Sequence, residues 1–129
     1  MSVTVNEQQP GAKVPVIVAS YSVTGQSGAL SAQTIYTPAA SGLYRLDYYL
    51  ELAATGVANV TPVLGFTDDF AAETVDLHGT ASSFGQANAQ CVGDSFTFRA
   101  AASVAIQIST TLGSGSTPTY NLYATLVQL

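Results

Sequence analysis

Between Gly42 and Ala54 the chain reads GLYRLDYYLELAA, and a large apolar side chain returns at every second position. Tyr44, Leu46, Tyr48, Leu50 and Leu52 hold one parity, while Arg45, Asp47, Tyr49 and Glu51 hold the other. In an extended backbone successive side chains point to opposite faces, so the two sets separate cleanly. A helix would scatter them around its whole circumference. The segment is therefore a half-buried strand with a core face and a mixed face. A lone strand has nothing to bury itself against, so the rest of the chain must supply more of the same.

It does. Segments of period two recur, separated by clusters of Gly, Ser, Pro, Asn and Asp. Residues 13–23 (KVPVIVASYSV) read as a first strand, with Pro15 at its start or on a sheet edge because it has no N–H to donate. After the loop GQSGALSAQ comes a short strand at 34–37, stopped by Pro38. Residues 60–67 put Val60, Leu64 and Phe66 on one side, and residues 73–81 put Val75 and Leu77 inward. Residues 94–102 place Phe96 and Phe98 inward and Thr97 and Arg99 outward, and residues 103–110 and 120–129 complete the set. Residues 82–92 and 111–118 read as loops. No segment has the spacing of a long amphipathic helix. About eight strands result, with none of the dozen-residue crossovers that parallel pairing needs. The expected fold is all-β, an antiparallel β-sandwich of the jelly-roll type with about eight strands. An immunoglobulin-type sandwich is the runner-up, although its Cys…Trp…Cys landmarks are missing. Residues 1–11 read as an N-terminal arm ending at Pro10-Gly11, and residues 12–129 as one domain.

Charge narrows the function. Charged residues make up 9% of the chain, against about 25% in an average domain. The basic residues are Lys13, Arg45 and Arg99, and the formal net charge is −5. Nucleic-acid binding needs several cations to neutralise phosphates, so it is excluded as a main role. An anionic membrane surface would repel the chain, and no apolar run approaches the length of a span. The first residues have neither a basic nor a long apolar stretch, so synthesis and folding in a cytoplasm are expected. Cys91 stands alone; no intrachain disulfide is available, and the thiol reads as a small buried hydrophobe.

Chemistry-bearing groups are few. Asp68, Asp69, Glu73 and Asp76 cluster in DDFAAETVD. Carboxylates at a strand end can hold calcium, but the spacing fits no EF-hand loop, and a solvated acidic turn is the plainer reading. His78 is the sole histidine, with Asp76 on its parity, and Ser95 lies in GDSF. Those three residue types can build a hydrolase, but Ser95 sits inside a strand and no oxyanion donors can be assembled around it. GSGS (113–116) lacks the Lys of a phosphate loop, and NVTP (59–62) is a formal glycosylation pattern only. The expectation is a non-enzymatic protein without metal or cofactor.

The closing stretch YNLYATLVQL points to assembly. Tyr120, Leu122, Ala124 and Leu126 take one parity; Tyr123, Thr125, Val127 and Leu129 take the other. If the first set fills the core, the second leaves a contiguous apolar patch that monomers avoid. Neighbouring copies can cover it, or the N-terminal arm of the same chain can. Tyr49 and Tyr123, both opposite in parity to the core faces of their strands, are the leading interface candidates.

SGLYRLDYYLEL (41–52) resembles the Gly-x-Tyr strand of TNF/C1q-like jelly rolls, and YNLYATLVQL resembles their last strand, which runs along a threefold axis. With VTPVLGFTDD between them, the pair looks like small phage virion proteins of the capsid-decoration and fibre-head types. The resemblance covers residues 41–129. It departs from secreted C1q-like proteins in having no signal peptide, collagen-like stalk or disulfide. It implies a homotrimer, and the parity of the strands places Tyr49, Tyr123, Thr125, Val127 and Leu129 at the expected subunit interface. It further implies a virion structural protein, made in the host cytoplasm, that decorates the capsid through contacts with partners such as the major capsid protein. The alternative it carries is a fibre head that binds a receptor or carbohydrate through loops 23–33, 82–92 and 111–118.

Overall fold

A computed structural model describes residues 14–80 and 91–129. The 1–11 arm, and all but the last two residues of the 82–92 loop, lie outside the described residues. Eight strands follow in order: β1 (Val16–Ser27), β2 (Gln33–Tyr36), β3 (Gly42–Ala54), β4 (Val60–Thr67), β5 (Thr74–His78), β6 (Cys91–Ala100), β7 (Ile106–Leu112) and β8 (Thr119–Gln128). They form two four-stranded antiparallel sheets, β1-β8-β3-β6 and β2-β7-β4-β5. Strand β1 pairs with β8, β2 with β7, β3 with β6 and β4 with β5. This is a long antiparallel ribbon rolled on itself, the jelly-roll order. The expected fold class is the one observed.

Strands β3 and β4 have the bounds their alternation marks. Others shift: β1 runs on through Ser27 across two bulges, and β6 begins at Cys91 within what reads locally as loop. Pro15 lies just before β1, an edge strand where a missing N–H costs no ladder bond. Tyr44, Leu46, Tyr48 and Leu50 of β3, with Tyr120, Leu122 and Leu126 of the neighbouring β8, face Leu64 and Phe66 of β4 and Ile106 and Ile108 of β7 in one core. Phe66 and Phe98 bridge the sheets at 4.6 Å between ring centroids.

The alternating strand directions define two ends. At the basal end β1 begins, β8 finishes, and the connections β2–β3, β4–β5 and β6–β7 turn. At the distal end lie β1–β2, β3–β4 and β7–β8. The basal turns are tied together: Ala101 N donates to Thr67 O (2.8 Å) and Ser103 N to Pro38 O (2.8 Å).

Candidate functional site

The outer face of sheet β1-β8-β3-β6 carries the five residues singled out as an interface. Directly paired residues of antiparallel strands share a face. Tyr49 on β3 pairs with Tyr123 on β8, and their ring centroids are 6.4 Å apart at 38°. Both remain substantially exposed, at 42% and 38%. The next outward row toward the basal end is Ser20, Thr125, Asp47 and Ser95, and the one after it is Ile17, Val127, Arg45 and Thr97. Leu129 sits at the corner, its N–H donating to Leu43 O at 2.9 Å.

The tyrosine pair is held in place. The Tyr123 hydroxyl donates to Glu51 Oε1 at 2.9 Å, and Asn121 Nδ2 donates to the same oxygen at 2.9 Å. Asn121 Oδ1 in turn accepts from Gly25 N at 2.8 Å, which ties this row to the β1 bulge. The hydrogen bond to the Glu51 carboxylate pushes the Tyr123 hydroxyl above its ordinary pKa. The neighbouring Cys91 thiol, through a hydrogen bond, does the same to Tyr49. Arg45 Nε and Asp47 Oδ1 form an ion pair at 3.2 Å within the face. The charges here are thus partly met by the face itself, and a covering surface need not supply counter-charges for Arg45 and Asp47.

Val127 differs from its row. It is only 7% exposed, while its cross-strand neighbour Ile17 is 65% exposed. The chain already covers Val127, so the outward apolar row is less continuous than its parity implies.

The other candidate groups are placed apart. Asp68 Oδ2 accepts from Phe70 N (3.0 Å) and Ala71 N (2.8 Å), and Asp69 Oδ2 pairs with Arg99 at 2.7 Å. These two carboxylates serve the turn between β4 and β5. Among the described residues, no group of three or more His, Cys, Asp or Glu side chains is arranged to hold a metal ion. Asp76 and His78 lie on the outer face of β5, while Ser95 lies on the outer face of β6 in the other sheet. The sandwich thickness separates them. Cys91, read as buried, is exposed, because it begins β6 on the outward parity opposite Glu51.

One residue went unnoticed in the sequence. Phe70 is 95% exposed at the tip of the β4–β5 turn. The signal was an aromatic flanked by two aspartates and two alanines, with no alternating partner to draw it inward. Comparison with protein-family models and with curated proteins gives no match for this chain.

Proposed function

We propose that this protein is a non-enzymatic virion structural protein, a homotrimer that decorates a capsid or another virion part and works through protein–protein contacts. In this reading it is made in the host cytoplasm and ends in the virion. The observation that carries it is the Tyr49–Tyr123 pair: two exposed aromatic rings, orientationally braced, at the middle of a broad sheet face. Tyrosines with few rotatable bonds and a satisfied hydroxyl make contact area at low entropic cost and are enriched at interfaces. The likeness of residues 41–52 and 120–129 to TNF/C1q-like strands supports threefold symmetry and the virion setting.

Sedimentation tests the assembly. The wild-type chain is expected to travel as a trimer at micromolar concentration, and Tyr123→Asp as a folded smaller species. A stable wild-type monomer would sink the reading. Incubation with particles lacking this protein, followed by electron microscopy, tests the setting: added density on the shell supports decoration. Selective glycan binding without capsid binding would favour the fibre-head alternative.

A further inference from the structure

Gly65 lies inside β4, where a glycine costs backbone entropy and offers no side chain to pack. Such a residue marks a bulge, a left-handed turn or a close approach. The first two do not apply. The pairing of β4 with β5 and with β7 runs through Gly65 without a register shift, and its φ is not positive. A Cβ placed there would meet Asp76 Oδ1 at 3.2 Å, tighter than side chains normally pack, and then Gln107 at 4.0 Å. Glycine thus keeps a notch open on the outer face of sheet β2-β7-β4-β5, with a carboxylate oxygen at its rim.

The notch is the centre of a cross-strand row. Thr34 pairs with Gln107, Gln107 with Gly65, and Gly65 with Asp76, so the row crosses all four strands. It opens into a cleft of about 180 Å³ that also reaches Thr67, Thr74 and Val104. Ser103, with a left-handed φ of 66° and its N–H donating to Pro38 O, fixes the β6–β7 connection that presents Val104. Gln107 Nε2 donates to Thr34 Oγ1 at 3.3 Å, which orients the amide and leaves its oxygen to accept. Asp47, Glu51, Asp68, Asp69 and Asp94 each hold a hydrogen-bond or ion-pair partner through their side chains. The Asp76 carboxylate has none among the described residues. The fold therefore makes no use of Asp76 or of the gap beside it.

We propose that this cleft binds one neutral sugar ring, with Asp76 accepting from two of its hydroxyls. A carboxylate can only accept, whereas the Thr67 and Thr74 hydroxyls both donate and accept, a mixture that matches sugar hydroxyls. Hydrogen bonds to the ionised carboxylate are the strong ones in such a set. The exposed Val104 side chain supplies an aliphatic wall for the C–H groups of the ring. A cavity of about 150 Å³ is enough for benzene, so the cleft has room for one six-membered ring. An anion would be repelled by the unpaired carboxylate. A cation would leave the hydroxyl donors unused, and a lone exposed carboxylate holds one only weakly. The cleft lies on the sheet opposite the Tyr49–Tyr123 face, so it stands whether or not that face assembles.

The test is a titration of the full ¹⁵N-labelled chain with the methyl pyranosides of glucose, galactose, mannose and N-acetylglucosamine, followed by amide shifts. Saturable shifts at Gly65, Thr67, Thr74, Asp76 and Gln107 are expected for at least one of them at millimolar concentration. Asp76→Asn should weaken that binding about tenfold or more, since a hydrogen bond to a charged group is lost. Its melting temperature should not fall, because the carboxylate has no partner in the fold. Gly65→Ala should weaken binding as well, by filling the notch. Glu73→Gln removes the same charge close by without lining the cleft, and should bind as the wild type does. The assignment is overturned by the absence of saturable shifts with all four sugars, by shifts centred on another part of the molecule, or by equal affinity of Asp76→Asn and the wild type. Shifts at the cleft with ethylguanidinium chloride but with none of the sugars would also overturn it, in favour of a cation site.

Discussion

Tyr120 shows what a single side chain does in this fold. Its ring is fully buried, and its hydroxyl donates to Gly28 O at 2.8 Å and meets Thr110 Oγ1 at 2.6 Å. With its one proton given to Gly28, Tyr120 accepts from Thr110. Thr110 Oγ1 also accepts from Leu30 N at 2.8 Å. Two strands, β7 and β8, and the β1–β2 connection thus converge on two hydroxyl groups. Tyr120→Phe removes one donor and one acceptor and leaves the Thr110 hydroxyl and the Gly28 carbonyl without them, so a loss of about 1–3 kcal/mol is expected in urea unfolding. Thr110→Val should cost a similar amount by stranding Leu30 N. An unchanged midpoint for both variants would show that the network adds nothing. Alternation placed Tyr120 in the core, but its hydroxyl's partners lie 10 and 92 residues away in the chain. No local pattern encodes such a meeting. Cys91 erred for a related reason: an isolated thiol carries no parity until its strand is known.

Among the elements, β3 and β8 test the two-face reading most directly. Leu46 is fully buried between the sheets, so Leu46→Asp places an unpaired charge in the core and should abolish folding, visible as loss of β circular dichroism. Tyr123 points outward, so Tyr123→Asp should leave the strand signal intact while altering assembly. From parity alone Val127→Asp would behave like Tyr123→Asp. The structure separates them: Val127 is covered within its own chain, so its aspartate should also destabilise the isolated domain, by at least about 2 kcal/mol. Equal melting temperatures for the Tyr123 and Val127 variants would contradict that. The β4–β5 turn is a second test. Asp68→Ala strips two N–H groups of their acceptor, and a loss of about 1–2 kcal/mol is expected, with faster proteolysis at the turn. The acidic cluster was legible as a turn, whereas the division of labour within it was not. Asp68 works on its own loop and Asp69 on Arg99, thirty residues away, and spacing cannot tell these roles apart.

At the scale of the whole molecule, three core tyrosines make stability depend on alkali. Burial raises the pKa of Tyr44, Tyr48 and Tyr120 above the ordinary value. Above about pH 10 the unfolded chain releases protons that the native state keeps, so stability is complete below that pH and falls as pH rises through it. The slope is up to about 1.4 kcal/mol per pH unit for each such tyrosine. Urea midpoints measured from about pH 8 to about pH 11 should therefore decline at the alkaline end; a flat profile would argue against protonated, buried hydroxyls. The rolled ribbon also brings β1 and β8, nearly the whole chain apart, side by side. Among the described residues only β4 and β5 meet as a local hairpin, so folding on the millisecond-to-second scale is expected in stopped-flow refolding. By itself the sequence determined that this is an all-β chain and which residues of β3, β4 and β8 face the core. Those follow from side-chain alternation, a property of a few consecutive residues. Tertiary structure alone decided which strands are neighbours, that Tyr49 lies against Tyr123, that Val127 is already covered, and that Phe70 stands clear at the basal end. Each depends on contacts between segments far apart in the chain, and alternation along one strand carries no record of what packs beside it.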